Sequence, residues 1–169
     1  MGVAVYIDSS RSVDPNLFQI TLVSTLFHRN FKLANILQRK FDCAVLYLSW
    51  ARNITIVNST FSDNNCTSIT AKASTFHLQG TIRFSRNAGY SGGALAFCHD
   101  TDGESEQQVR IENSMILNPH TSVYIVNNTA VQYGGGIVDD ECTKGRYCFF
   151  QTGNLNYTQT DARVVMENT

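Results

Sequence analysis

Two eleven-residue stretches of the chain, Ile20–Asn30 (ITLVSTLFHRN) and Ile54–Asn64 (ITIVNSTFSDN), agree at five positions across an offset of 34 residues. Repetition at a spacing of tens of residues constrains a chain strongly. Each repeat has to be one structural unit that buries its apolar face against its neighbours. The shared ending is an apolar residue, two variable ones and an Asn. It recurs as Phe84–Asn87 (FSRN), Ile125–Asn128 (IVNN) and Val165–Asn168 (VMEN). The starts at 27, 61, 84, 125 and 165 are separated by 34, 23, 41 and 40 residues. A second motif follows the third and fourth copies: Gly92–Leu95 (GGAL) and Gly134–Ile137 (GGGI), 42 residues apart.

Within the copies, apolar residues alternate with their neighbours. Ile54 and Ile56 fall on one side, Thr55 and Val57 on the other; Ile82 with Phe84 and Val123 with Ile125 repeat the pattern. A period of two is that of a strand. Val, Ile and Thr supply 40 of the 169 residues, and 15 Asn, 14 Ser and 11 Gly supply turns. This composition favours strands and turns over helices. The exception is 31–41, where Leu33, Ile36, Leu37 and Lys40 fit two turns of an amphipathic helix. That stretch is read as an insertion, as is the polar, acidic stretch 99–110. The expected class is all-β: a parallel β-solenoid whose strands pair with their copies about 4.8 Å away in the next coil. Residues 1–17 form its edge or cap and residues 18–169 its coils. The last copy stops after its first half, which predicts a fragment truncated at the C-terminus.

In such a stack, the recurring asparagines acquire a structural reason. Asn30, Asn64, Asn87, Asn128 and Asn168 are expected to form a ladder, each amide bonding to those above and below. The Gly pairs, Gly92–Gly93 and Gly134–Gly135, are expected where the chain turns with positive φ or where coils approach too closely for a Cβ.

The net charge is -1 and charged residues make up 16% of the chain. No bulk basic field exists, which argues against nucleic acid as the main partner. No apolar run reaches the 18 or so residues of a spanning helix. Five cysteines are present: Cys43, Cys66, Cys98, Cys142 and Cys148. Cys142 and Cys148 flank a short Gly-containing loop and are a candidate disulfide; the pairing of Cys43, Cys66 and Cys98 stays open. Five N-x-S/T sequons begin at Asn53, Asn58, Asn65, Asn127 and Asn156. Cysteines and sequons together point to an oxidising, extracellular or cell-surface setting. Residues 1–10 carry no signal peptide, so the N-terminus is expected to be incomplete. Surface proteins or glycans are the partners such a setting offers.

An F-x-x-N motif followed by GGA[LIV] resembles the repeat signature of chlamydial polymorphic outer-membrane proteins and of similar extracellular eukaryotic proteins. FSRN at Phe84 with GGAL at Gly92 fits that signature. IVNN with GGGI departs from it, because Ile125 replaces Phe and Gly136 replaces Ala. The stretch 142–151, ending CFFQ, resembles the cysteine-bearing segment that follows the repeat in the eukaryotic relatives. The resemblance covers roughly residues 54–169. It implies a right-handed parallel β-helix and, in the bacterial members, a surface-exposed passenger used in adhesion.

Catalytic constellations are sparse. Asp139, Asp140 and Glu141 form the one dense acidic cluster near a strand end, read as a solvated turn before Cys142. Cys98, His99 and Asp100 are adjacent, so on a strand they point to opposite faces and cannot converge. Carboxylates at 100, 102, 104 and 106 match part of a calcium loop, without its twelfth-position Glu. His28, His77 and His120 have no metal-ligand spacing. No cofactor or metal is expected. The sequence therefore favours a non-enzymatic scaffold or adhesion module. The alternative is a carbohydrate-binding or polysaccharide-cleaving β-helix, in which Tyr90, Tyr133 and Tyr157 would stack on sugars.

Overall fold

The computed structural model of the chain describes residues 3–9, 19–30, 43–72, 74–98, 114–133, 135–139, 155–157 and 162–169. Among these residues there is no helix. The alternating segments form short strands: β1 (Val3–Asp8), β2 (Ile20–Val23), β3 (Leu26–His28), β4 (Ala44–Ser49), β5 (Ile54–Val57), β6 (Thr60–Ser62), β7 (Thr67–Lys72), β8 (Thr75–Gln79), β9 (Thr81–Ser85), β10 (Ala88–Ser91), β11 (Leu95–Cys98), β12 (Ser114–Leu117), β13 (Ser122–Val126), β14 (Thr129–Tyr133), β15 (Ile137–Asp139), β16 (Leu155–Tyr157) and β17 (Arg163–Glu167).

Three five-stranded sheets hold fifteen of them. Sheet A runs β1-β4-β7-β11-β15, sheet B runs β2-β5-β8-β12-β16 and sheet C runs β3-β6-β9-β13-β17. The remaining pair, β10-β14, follows sheet C at its corner. Every pairing is parallel. In chain order the strands visit A, B and C in turn, five times over, so each circuit gives one strand to each sheet. The fold is all-β, with parallel sheets.

The register stacks like on like. Ile20, Ile54, Phe76, Met115 and Leu155 form one file through sheet B. Phe27, Phe61, Phe84, Ile125 and Met166 form another through sheet C. Phe27 stacks on Phe61 with ring centroids 4.7 Å apart, and Phe61 on Phe84 at 5.1 Å. These files meet in a single core with Leu46, Ile69 and Leu95 of sheet A. Middle circuits are fully buried, whereas Val5, Ile7, Ile20 and Leu22 in the first circuit and Val164 in the last are partly buried. Burying two or three such side chains per strand supplies about 1.5–3 kcal/mol each, which is why strands of only four or five residues persist.

Residues in the left-handed region turn the corners. Between sheets A and B these are Trp50 and Asn53; between sheets B and C they are Ser24, Asn58, Gly80 and His120; after sheet C they are Arg29, Asp63, Arg86, Asn127 and Asn168. Buried hydroxyls satisfy the backbone beside the turns. Ser59 Oγ accepts from the Thr25 N–H and donates to the Val57 carbonyl, and Thr121 Oγ1 donates to the Leu78 carbonyl.

The expected insertions, 31–41 and 99–110, lie outside the described residues. Within the expected edge or cap, 1–17, residues Val3–Asp8 form the edge strand of sheet A, paired with β4.

Candidate functional site: the corner after sheet C and the faces beside it

The polar centre of the molecule is the corner where the chain leaves sheet C. The structure brings Asn30, Asn64, Asn87 and Asn128 into one file. Nδ2 of Asn30 donates to Oδ1 of Asn64 at 2.8 Å, Asn64 to Asn87 at 2.7 Å and Asn87 to Asn128 at 2.9 Å. Each acceptor oxygen also takes the backbone N–H of the preceding Asn, at 3.0, 3.2 and 3.0 Å. The second proton of each buried amide goes to a main-chain carbonyl: Asn64 to Phe27, Asn87 to Phe61 and Asn128 to Phe84. Both donor and acceptor capacity of Asn64 and Asn87 are thereby used inside the core, the condition under which burying an amide is tolerated.

Asn168 is not a member. Met166, not Val165, is in register with Ile125, so Asn168 lies beside Asn127 and donates to its Oδ1 at 3.1 Å. The position under Asn128 falls to Thr169. Asn168 instead continues the left-handed file of Arg29, Asp63, Arg86 and Asn127, a conformation Asn tolerates well.

Glycines close the same corner. A Cβ on Gly93 would lie 2.6 Å from the carbonyl oxygens of Gly135 and Thr129 and 2.7 Å from that of Asn87. One on Gly135 would lie 2.2 Å from the Asn128 carbonyl oxygen. Gly92 takes φ +67°. Gly134 lies outside the described residues.

A disulfide joins Cys43 to Cys66, with Cα atoms 5.0 Å apart and a sequence separation of 23. It sits one position before the register pair Ala44 and Thr67, so it staples two successive circuits at the foot of the amide file. Cys142 and Cys148 lie outside the described residues.

Four sequon asparagines, Asn53, Asn58, Asn65 and Asn127, are exposed at corners. Asn65 and Asn127 each adjoin a buried ladder residue. Asn156 lies in β16, and its side chain is outside the described set.

Beside the ladder is a charged group that repeat reading missed. Asp63 receives both Nε and Nη2 of Arg86, at 2.6 and 2.8 Å. His28 Nδ1 is 3.3 Å from Asp63 Oδ2 and 3.0 Å from Ser62 Oγ. The Arg86 guanidinium, by hydrogen bond and charge, holds the Asp63 carboxyl below its ordinary range, and the Arg86 pKa rises in return. Serine, histidine and aspartate meet here, but Ser62 and Asp63 contact the same ring nitrogen. A nucleophile relay needs the hydroxyl on one nitrogen and the carboxylate on the other, so this group cannot activate Ser62. The signal available in sequence was spacing: Asp63 and Arg86 are 23 apart, as are Asn64 and Asn87.

Other chemical candidates stay apart. Among the described residues no three His, Cys, Asp or Glu side chains gather to hold a metal. His77 Nδ1 faces Asn118 Oδ1 at 3.4 Å on sheet B, away from His28. Asp139 is placed by its backbone in β15; its side chain, Asp140, Glu141, the 100–106 carboxylates and His99 lie outside the described residues. Tyr90, Tyr133 and Tyr157 fall in β10, β14 and β16, with side chains likewise outside. An open cavity of about 240 Å³ lies between Tyr6 and Asp8 on one side and Ala51, Arg52 and Ile54 on the other.

No family model matches the chain, and no curated protein or solved structure matches it.

Proposed function

We propose that the chain forms a right-handed parallel β-helix that acts outside the cell or on its surface as a rigid, non-enzymatic scaffold for adhesion or display. The observation that carries this reading is the amide file, unbroken across four circuits and locked to the phenylalanine stack beside it. A wall built this way resists bending, because the first three circuits are bonded to one another through main chain, amide and ring at once and the fourth through main chain and amide. The cyclic visiting order of the three sheets supports a helical winding. The right hand is supported by the rule that crossovers between parallel strands of one sheet are right-handed in about 98% of cases.

The setting is supported by the Cys43–Cys66 disulfide and the four exposed sequon asparagines. The FSRN and GGAL resemblance to the polymorphic outer-membrane repeat supports the same assignment. Among the described residues no helix is long and apolar enough to cross a membrane.

The test is expression of the chain behind a secretory leader. The expected product is strand-rich by circular dichroism, shifts in mass on enzymatic deglycosylation, and leaves polysaccharides intact. A product with no glycan and five freely reactive thiols would reject the extracellular setting. Cleavage of a polysaccharide, abolished by Asp139→Asn or Asp140→Asn, would reject the scaffold role.

A further inference from the structure

Charge is distributed unevenly over the three outer faces. Sheet B presents no Asp, Glu, Lys or Arg in any of its strands. Of the five described arginines, four lie on the outer face of sheet C or the corner that follows it: Arg29, Arg83, Arg86 and Arg163. Against them, among the described residues, stand Asp63 and Glu167, giving 4 − 2 = +2 for the described part of this face.

Pairing sharpens the contrast. Arg86 is committed to Asp63. Among the described residues Arg163 is held by neutral groups: its Nη2 donates to Tyr124 Oη at 2.7 Å, its Nε to Ser122 Oγ at 3.2 Å, and its guanidinium carbon lies 5.7 Å from the Tyr124 ring centroid. These contacts fix the cation in place and carry no charge of their own. Arg83 projects outward in register with Thr60 and Tyr124, exposed and without a carboxylate partner among the described residues. Arg83 and Arg163 are two strands and two residues apart, roughly 12 Å by strand geometry. That separation suits successive charges on an extended polymer better than one small anion.

We propose that the outer face of sheet C is a docking surface for an acidic polysaccharide, with Arg83 and Arg163 as its principal cationic contacts and Tyr124 as the apolar and hydroxyl contact between them. Guanidinium forks match sulfate and carboxylate oxygens. Tyr124, Ser122 and Thr81 meet the hydroxyls and ring faces between the charges. A single-stranded nucleic acid needs a row of aromatic side chains to stack its bases, and among the described residues Tyr124 is the one Phe, Tyr or Trp facing outward from this sheet. The choice of polysaccharide rests on the extracellular reading above.

The experiment is binding of the purified 169-residue chain to immobilised heparin at about 0.05 M salt, where screening of exposed charges is weak. Soluble heparin, neutral dextran and poly(dT) serve as competitors. The expected result is retention reversed by salt and by heparin, but not by dextran or poly(dT). Arg83→Glu with Arg163→Glu should weaken retention about tenfold or more, while Lys72→Glu on sheet A leaves it unchanged. If the double Glu variant loses its strand spectrum, Arg83→Gln with Arg163→Gln replaces it, with the same expectation in weaker form. No retention of the wild type, retention indifferent to these arginines, or displacement by poly(dT) as effective as by heparin would overturn the proposal. Each of those results, obtained with an intact strand spectrum, leaves the scaffold reading standing; shortening of the bound heparin would reject the scaffold reading instead.

Discussion

Asn64 sends two donors to one oxygen of Asn87: its Nδ2 at 2.7 Å and its backbone N–H at 3.2 Å. The Asn87 side chain therefore replaces, at the corner, the main-chain pairing that a sheet supplies elsewhere. Its own Nδ2 goes to Asn128 and to the Phe61 carbonyl.

Truncating that side chain leaves several buried groups without partners. Asn87→Ala should cost about 1–3 kcal/mol, read as a shift in urea midpoint. Asn168→Ala, at the exposed neighbouring file, should stay within about 0.5 kcal/mol. Equal effects at the two positions would contradict the pairing of Met166 with Ile125 that sets Asn168 outside the ladder.

A Cβ on Gly93 would meet three carbonyl oxygens, those of Gly135 and Thr129 in the next circuit and that of Asn87 in its own. A methyl group 2.6 Å from two of them forces the backbone to part. Gly93→Ala should destabilise by about 1–3 kcal/mol, measured by thermal or denaturant unfolding. A neutral outcome would show that the circuits are less closely apposed.

The Cys43–Cys66 bridge closes a loop of 23 residues. Chain-entropy reasoning for a loop of that size gives about 3 kcal/mol. Paired Cys43→Ser and Cys66→Ser should lower stability by about that amount, and reductant should no longer change the midpoint in the variant. A reductant effect of the original size would place the stabilising bridge elsewhere.

The Asp63–Arg86 pair makes stability depend on pH in one direction. The folded Asp63 pKa lies below its ordinary value of 3.8. Its contribution is then fully present above that value and is lost as pH falls through the lower, folded one. Comparing melting temperatures of wild type and Asp63→Asn, the wild-type advantage should be constant near neutrality and shrink below about pH 4. An advantage that grows on acidification would reverse the assignment.

The asparagine and phenylalanine files were legible in sequence because their members recur beside an apolar residue at fixed distance. Asn168 was misplaced because V-x-x-N also fits one residue early; only the pairing of Met166 with Ile125 sets the frame. Sheet A left less trace. β4 is buried at five of its six positions, and β7 likewise, so the alternation that marks β5 and β8 is erased. The disulfide and the Asp63–Arg86 pair needed the circuit length of 23 to be applied to residues outside the motif. The sheet C arginines sit at outward positions, where stacking imposes no recurring residue type.

Nuclear magnetic resonance of the side-chain amides tests the central claim most directly. The account predicts cross-relaxation from the Asn87 Nδ2 protons to the amide protons of both Asn64 and Asn128, with slow exchange against deuterium at Asn64 and Asn87. Asn87 amide protons that exchange freely and show no contact with Asn64 or Asn128 would contradict it.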